Sequence, residues 1–522
     1  MRVAAFRKAV KGMKVSSSYS LPAPYGGWNA RDSVAQMKED QALSMVNVFP
    51  DTGEVMVRKG YSVFAEDIGA SVESIMVYSS PAGTQSMFCA ANTAIYDVTA
   101  GGVIGAGVQT GLTNARWQSV NFTNSAGDSY LCCFNGVDAP RYWDGSSWIS
   151  VTAVSTPAIT GLTASTIINA TVHKRRLWLV QVNSLKAWYL PVDSVGGAAA
   201  ALDLGGIAYK GGYIVTLGTW TIDAGEGMDD YFCIATSEGQ LVVYRGTDPS
   251  DSTKWVLVGV WDVGQPLGYR CLYKYKNDLL FLSKEGVLPL SALITTGRSD
   301  ARVSVTDKIT QAMASASALY SANYGWDLLY YPEANMLLIN IPVGTNTQQQ
   351  YVMNTVTGSW GGPFNSLKAV CWTLFDGEPY FGSDGYIGKF WNTLSDDGSN
   401  IAFDIQQSYS YLGSKGRLKK IKSVRPAILC DGTPSVLMGI NVDYEQREIF
   451  GAITFSAPSY ALWDSGVWDL GLWGGALSLY NDWQTVNGVG TSISIRMKGE
   501  VSAIEFRYAA VDVLYENGGV IA

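Results

Sequence analysis

The chain has 522 residues, only 16% of them charged, and a formal net charge of −8. That average points away from a protein built for a tight, sequence-independent grip on nucleic acid, which usually shows a basic stripe. It excludes long solvent-facing helices: with 56 Gly, 17 Trp and 29 Tyr, the composition suits short strands joined by glycine turns, with aromatic residues packed between sheets.

Residues 1–40 read as an extended arm. The first 18 carry Arg2, Arg7, Lys8, Lys11 and Lys14 with no acid. No apolar stretch of about 7–15 residues follows them, so the arm is not a signal peptide. Pro22, Pro24 and Gly26-Gly27 keep the chain extended. A hairpin follows from Asp40 to Phe64, turning at Asp51-Thr52-Gly53, with polar and apolar residues alternating on its second run.

From residue 72 one pattern recurs. Its clearest copy is Tyr130 to Trp148, YLCCFNGVDAPRYWDGSSW, in which Asn-Gly and Asp-Gly turns separate apolar runs. Seven copies have reference residues Tyr96, Tyr142, Tyr189, Tyr244, Leu288, Tyr351 and Phe390, separated by 46, 47, 55, 44, 63 and 39 positions. A period of about 40–55 residues with up to four strands per unit is the mark of a β-propeller. The longest gap contains one helix near 304–320, with Thr306-Asp307 as its cap and Ile309, Met313 and Leu319 along one face.

TLSDDGSN at 393–400 marks a domain boundary. The strands beyond it suffice for a β-sandwich. Among them, Trp463, Trp468 and Trp473 stand five residues apart, a spacing that fits an ordered loop with Trp anchors rather than a helix or strand. The fold expected is therefore all-β: an arm (1–40), a β-propeller of seven blades, alternatively six, with one inserted helix (41–395), and a C-terminal β-sandwich-like domain (396–522). A large multi-sheet sandwich is the alternative.

Catalytic chemistry finds few candidates. His173 is the only histidine, so a Ser-His-Asp or Cys-His engine would depend on it; its place before RLWLV suggests a surface or strand-edge residue. Seven scattered cysteines with no CxxC pair read as buried reduced thiols. No metal or other cofactor is expected, and no phosphate loop is present. Glycosidases need only two carboxylates. WDGSSW and SDSTKW loosely resemble sialidase turns without supplying the whole pattern, and Asp144 is expected to hold a turn. Two basic clusters remain. One is His173-Lys174-Arg175-Arg176, and the other comprises Lys415, Arg417, Lys419, Lys420, Lys422 and Arg425. Either could meet phosphates or order a neighbouring subunit. No apolar run approaches the roughly 20 residues of a membrane span, so membrane insertion is not expected.

Several long blocks carry a family resemblance. LPAPYGGWNARDSVAQMKEDQALSMVNVFPDTGEVMVRKGY, TDKITQAM with ANYGWDLLYYPEANMLLINIPV, QSYSYLGSKGRLKKIKSVRPAIL and WDSGVWDLGLWGGALSLYNDWQTVNGVGTSISIRMKG resemble, in order, the tail nozzle (tail hub, packaged-DNA-stabilisation) family of short-tailed bacteriophages. The resemblance implies a non-enzymatic virion protein of the tail, a β-propeller with added β-domains that is assembled in the host bacterial cytoplasm. It implies a ring, a homohexamer, below the portal and adaptor. That ring continues the DNA channel, retains the packaged genome and lets double-stranded DNA pass at ejection, with fibres or spikes docking on it. On this basis the 415–425 residues are expected to contact another subunit or DNA. The alternative is a carbohydrate-binding or carbohydrate-degrading propeller serving as receptor-binding protein or depolymerase.

Overall fold

Short apolar runs bounded by turn residues form antiparallel strands in the computed structural model, which describes residues 16–223, 228–296, 304–453, 455 and 477–520. The basic residues Arg2 to Lys14 and the spaced Trp463, Trp468 and Trp473 lie outside the described residues. The chain divides into two units. A propeller unit comprises 28–31 and 58–401, and a second unit comprises 1–27, 32–57 and 402–522.

In the propeller unit, six blades are continuous stretches of chain: 72–97, 118–150, 167–203, 214–262, 272–289 and 327–364. Further strands complete a seventh sheet. Cys371–Phe375, Glu378–Gly382 and Ile387–Thr393 pair in turn, and Gly60–Glu66 from the other end of the unit pairs with Ile387–Thr393. The first strands of successive sheets lie side by side in a closed ring, the last against the first. All seven reference residues of the sequence repeat fall on the third strand of their sheets, from Tyr96 on Ala94–Asp97 to Phe390 on Ile387–Thr393.

A single sheet leaves both faces wet, so the core is divided into slabs between neighbouring blades. Met76, Phe88, Trp117 and Leu131 fill the slab between the first two. Trp178, Phe232 and Trp255 fill that between the third and fourth, with the Trp178 and Phe232 ring centroids 4.2 Å apart. The helix Thr310–Tyr320 follows a 3-10 turn, Asp307–Ile309, and closes the slab of blades four to six. Ile309 and Met313 are buried there, but Leu319 faces solvent. Thr306 does not cap the helix with its side chain; its hydroxyl accepts from the Val287 amide (3.2 Å) instead. A further short helix, Leu290–Thr296, was not expected.

The second unit contains two groups of antiparallel strands. Phe506–Val520 pairs with Arg417–Cys430, Ser16–Pro22 and Val55–Val57. Ser435–Val442 pairs with Ile493–Val501, and Gln41–Val46 with Ile401–Gln407. Phe403 and Phe506, one from each group, meet 5.0 Å apart. Residues 41–57, expected to open the propeller, thus belong to this unit, because Val55–Val57 is claimed by the last strand. The expected arm is likewise tied down from Ser16 by the same strand.

The ring closes at one clasp. Arg58, fully buried, reaches Asp396 through two bonds, Nη1 to Oδ1 (2.8 Å) and Nη2 to Oδ2 (2.5 Å), and Ser366 joins both. Beside it a Cβ on Gly60 would stand 1.8 Å from the Ser395 carbonyl oxygen, so only glycine fits. Removing one partner of a buried ion pair strands the other charge and costs about 3–5 kcal/mol. Asp396→Ala is therefore expected to lower the melting temperature of the full chain well below that of Asp397→Ala, measured by calorimetry on both variants.

Candidate functional site

Strand alternation decides the fate of the basic cluster at 415–425. On Arg417–Cys430 successive side chains face opposite ways, and Lys419 falls on the inward face with Ile421. It is 0% exposed, and its Nζ donates to the carbonyls of Ser414 (2.6 Å), Thr491 (2.9 Å) and Arg417 (3.3 Å). Burial lowers the pKa of its ammonium, and Asp443 opposes that shift. Lys419 is thus a structural tether rather than a contact residue. Two more members have partners on the neighbouring strand: Lys422 with Glu516 (2.5 Å) and Arg425 with Asp512 (2.6 Å). Lys415 lies over the Tyr411 ring. Arg417, ahead of a register shift in the strand, and Lys420 are exposed, so among the described residues the exposed cations of this cluster without an acidic partner are Lys415, Arg417 and Lys420.

The second cluster is a tight turn. Lys174 and Arg175 take φ of 47° and 60° between paired His173 and Arg176, the geometry of a two-residue hairpin. Each cation finds an acid: Lys174 with Asp230 (2.7 Å), Arg175 with Asp193, and Arg176 with Asp248 (3.4 Å). His173 is not at the surface as expected. It is buried between blades three and four, its ring 5.0 Å from Phe232 and 5.8 Å from Trp255. The Thr219 hydroxyl donates to the Val172 carbonyl (3.0 Å), so the 3.1 Å contact between it and His173 Nδ1 requires that nitrogen to carry the proton. Burial, reinforced by Lys174, pushes the imidazole down to about 4.

Asp144 holds its turn. Oδ1 accepts from the amides of Ser146 (2.8 Å) and Ser147 (2.7 Å), and Trp148 packs against Phe88 of the first blade at 4.9 Å. Asp251 holds SDSTKW in the same way, accepting from the Thr253 amide at 2.9 Å. All seven cysteines are buried and unbridged. Among the described residues no His, Cys, Asp and Glu cluster could hold a metal, and no helix is long and apolar enough to cross a membrane.

Two features escaped the sequence. The first is an axial cavity of about 610 Å³ at the entry ends of the inner strands. Arg270 crosses its wall: it donates to Gln118 (3.0 Å), Asp327 (3.0 Å) and the Trp117 carbonyl (3.3 Å). Burial pushes the Asp327 carboxyl up, and Arg270 opposes that shift. Arg116 pairs with Glu73 (3.2 Å) and covers the Tyr324 ring at 4.5 Å, while the Tyr324 hydroxyl donates to the Glu73 carbonyl at 2.9 Å. The second feature is the outer strand of the fourth blade, Trp255–Asp262. Val256, Leu257 and Val258 are 54%, 41% and 41% exposed in succession, at a bulge in the pairing with Gln240–Gly246.

No protein-family model matches the chain, and no curated protein matches it. Solved structures similar to it include the Cps50 (Swd1) β-propeller domain of Myceliophteria thermophila, at 10% identity and a TM-score of 0.39, covering 64% of this chain and 100% of that one. YCF48 bound to a D1 peptide aligns at 12% identity and a TM-score of 0.36, covering 64% and 96%. The computationally designed Ika8 protein aligns at 11% and 0.34, covering 67% and 96%.

The His173 ring is enclosed by the aromatic side chains of Phe232 and Trp255. Its lowered pKa has a signed consequence. The unfolded chain takes up the proton near 6.5 and the folded chain only near 4, so this stabilisation is complete above pH 6.5 and fades as pH falls toward 4. The loss amounts to about 3 kcal/mol. Melting temperature measured from pH 7 to pH 4 is expected to fall less steeply in His173→Gln than in the parent chain.

Proposed function

We propose that this chain is the repeating subunit of a ring in a bacteriophage tail, the nozzle below the portal and adaptor, through which packaged DNA is retained and then released. The observation that carries the proposal is the apolar outer edge of the fourth blade. Among the described residues no strand pairs with the outer side of Trp255–Asp262, and its sequence WVLVGVWD has no Lys, Arg or Pro. Free proteins blunt such edges with charge, proline or cover. An edge left long and apolar suits a chain whose working state is an assembly, where obligate contacts commonly bury about 2,000 Å² or more.

The electrostatics agree with a mechanical role. With a net charge of −8, the subunit presents a passing duplex with repulsion or weak attraction rather than a grip. The exposed set Lys415, Arg417 and Lys420 is left for an acidic neighbour, the adaptor or exiting DNA. The role assigned is structural, in the virion tail, with fibres or spikes as further partners and no catalytic step.

Negative-stain images and native mass of the purified full chain test the proposal. Six-fold rings with an axial channel are expected, and Leu257→Lys combined with Val258→Lys is expected to give folded monomers with an unchanged circular dichroism spectrum. A parent chain that stays monomeric across the concentrations of assembly would overturn it.

A further inference from the structure

We infer that the axial cavity of the propeller unit binds a neutral saccharide. The volume comes first: about 610 Å³ lies within the roughly 300–1,000 Å³ of pockets that enclose small organic ligands.

Charge narrows the class. Arg270 is bound to Asp327 and Arg116 to Glu73, and the remaining charged lining residues, Lys284 and Glu238, are of opposite sign. A phosphate or carboxylate would have to take Arg270 or Arg116 from its present partner, leaving a carboxylate uncompensated. An ammonium ligand meets the converse problem at Asp327 and Glu73. A hydroxyl-bearing ligand meets neither, because each hydroxyl donates once and accepts through its lone pairs, so it can add to the occupied Arg, Gln and carboxylate groups without displacing them.

The third feature is the combination of planar polar groups with rings. Gln118, Arg270 and Asp327 are fixed by one another, which lowers the ordering cost of binding. Tyr213 and Tyr269, both half-buried, supply aromatic surface to the same cavity. Such side chains present an apolar body with a polar tip, matching a sugar ring with its C–H faces and peripheral hydroxyls. The strand ends that bring these groups together belong to different blades, so the cavity exists only in the closed ring of sheets.

Saturation-transfer difference NMR on the full chain tests the inference, with the methyl glycosides of glucose, galactose, mannose, N-acetylglucosamine and rhamnose as probes and inorganic phosphate as the anionic arm. At least one glycoside is expected to bind saturably with a Kd of about 1 mM, and to bind about tenfold more weakly in Arg116→Ala and in Glu238→Ala. Lys420→Ala, in the other unit, is expected to leave binding unchanged. Arg116 and Glu238 are both exposed; if Arg116→Ala lowers the melting temperature, Glu238→Ala carries the test alone. The inference is overturned if no glycoside gives a saturable signal, if the substitution at the cavity leaves binding intact, or if phosphate binds there and the glycosides do not.

Discussion

The propeller depends on one long-range closure. Arg58 and Asp396 are 338 positions apart, and bringing such distant points together costs roughly 5 kcal/mol in loop entropy alone. No local hairpin offsets that cost. It is met by the pairing of Gly60–Glu66 with Ile387–Thr393, by the bidentate Arg58–Asp396 bond beneath it, and by the slab of apolar side chains that this seventh sheet shares with the first. The clasp also explains why the run Glu54 to Phe64, continuous in its alternation, is split in the fold. Val55–Val57 goes to the second unit, Arg58 turns inward, and the next strand begins at Gly60.

The blades were legible because each is a local object. Turns such as Asp144-Gly145 are fixed by their own side chains, and the bulky third-strand residue must fill the slab against a neighbour, so a residue of that kind recurs once per blade. The drift of the period has physical sources too. Its longest step, 63 positions between Leu288 and Tyr351, holds both helices, and these supply core to the fifth blade, which has only three strands. Position along the repeat was therefore readable, whereas the partner of each blade face was not.

What the sequence concealed is of a different kind. The axial cavity draws Arg116, Tyr213, Arg270 and Asp327 from separate sheets, with no spacing shared among them, so no local pattern announces it. Lys419 is the opposite case. It stands two residues before Ile421 on one strand, and residues two apart share a face; its burial was available from the alternation but hidden by the number of cations around it. His173 was obscured in the same way by the three cations that follow it, although these form a turn and its own ring belongs to the packed strand.

Counting charges along the chain and counting them in space give different proteins. HKRR reads as three consecutive cations, yet Asp230, Asp193 and Asp248 answer them one by one. GRLKKIKSVR reads as five, yet one is enclosed by carbonyl oxygens and two are held by Glu516 and Asp512. Each of these acids lies far from its partner in sequence and is placed by strand register or by an adjoining turn. A polyanion approaching the 173–176 turn thus meets compensated dipoles, whose field falls off faster than that of free charges and is screened further by salt, and at 415–425 it meets fewer free charges than the sequence count. Under the proposed nozzle role such compensation is preferable to an unpaired basic stripe, because affinity for a polyanion rises steeply with each phosphate neutralised.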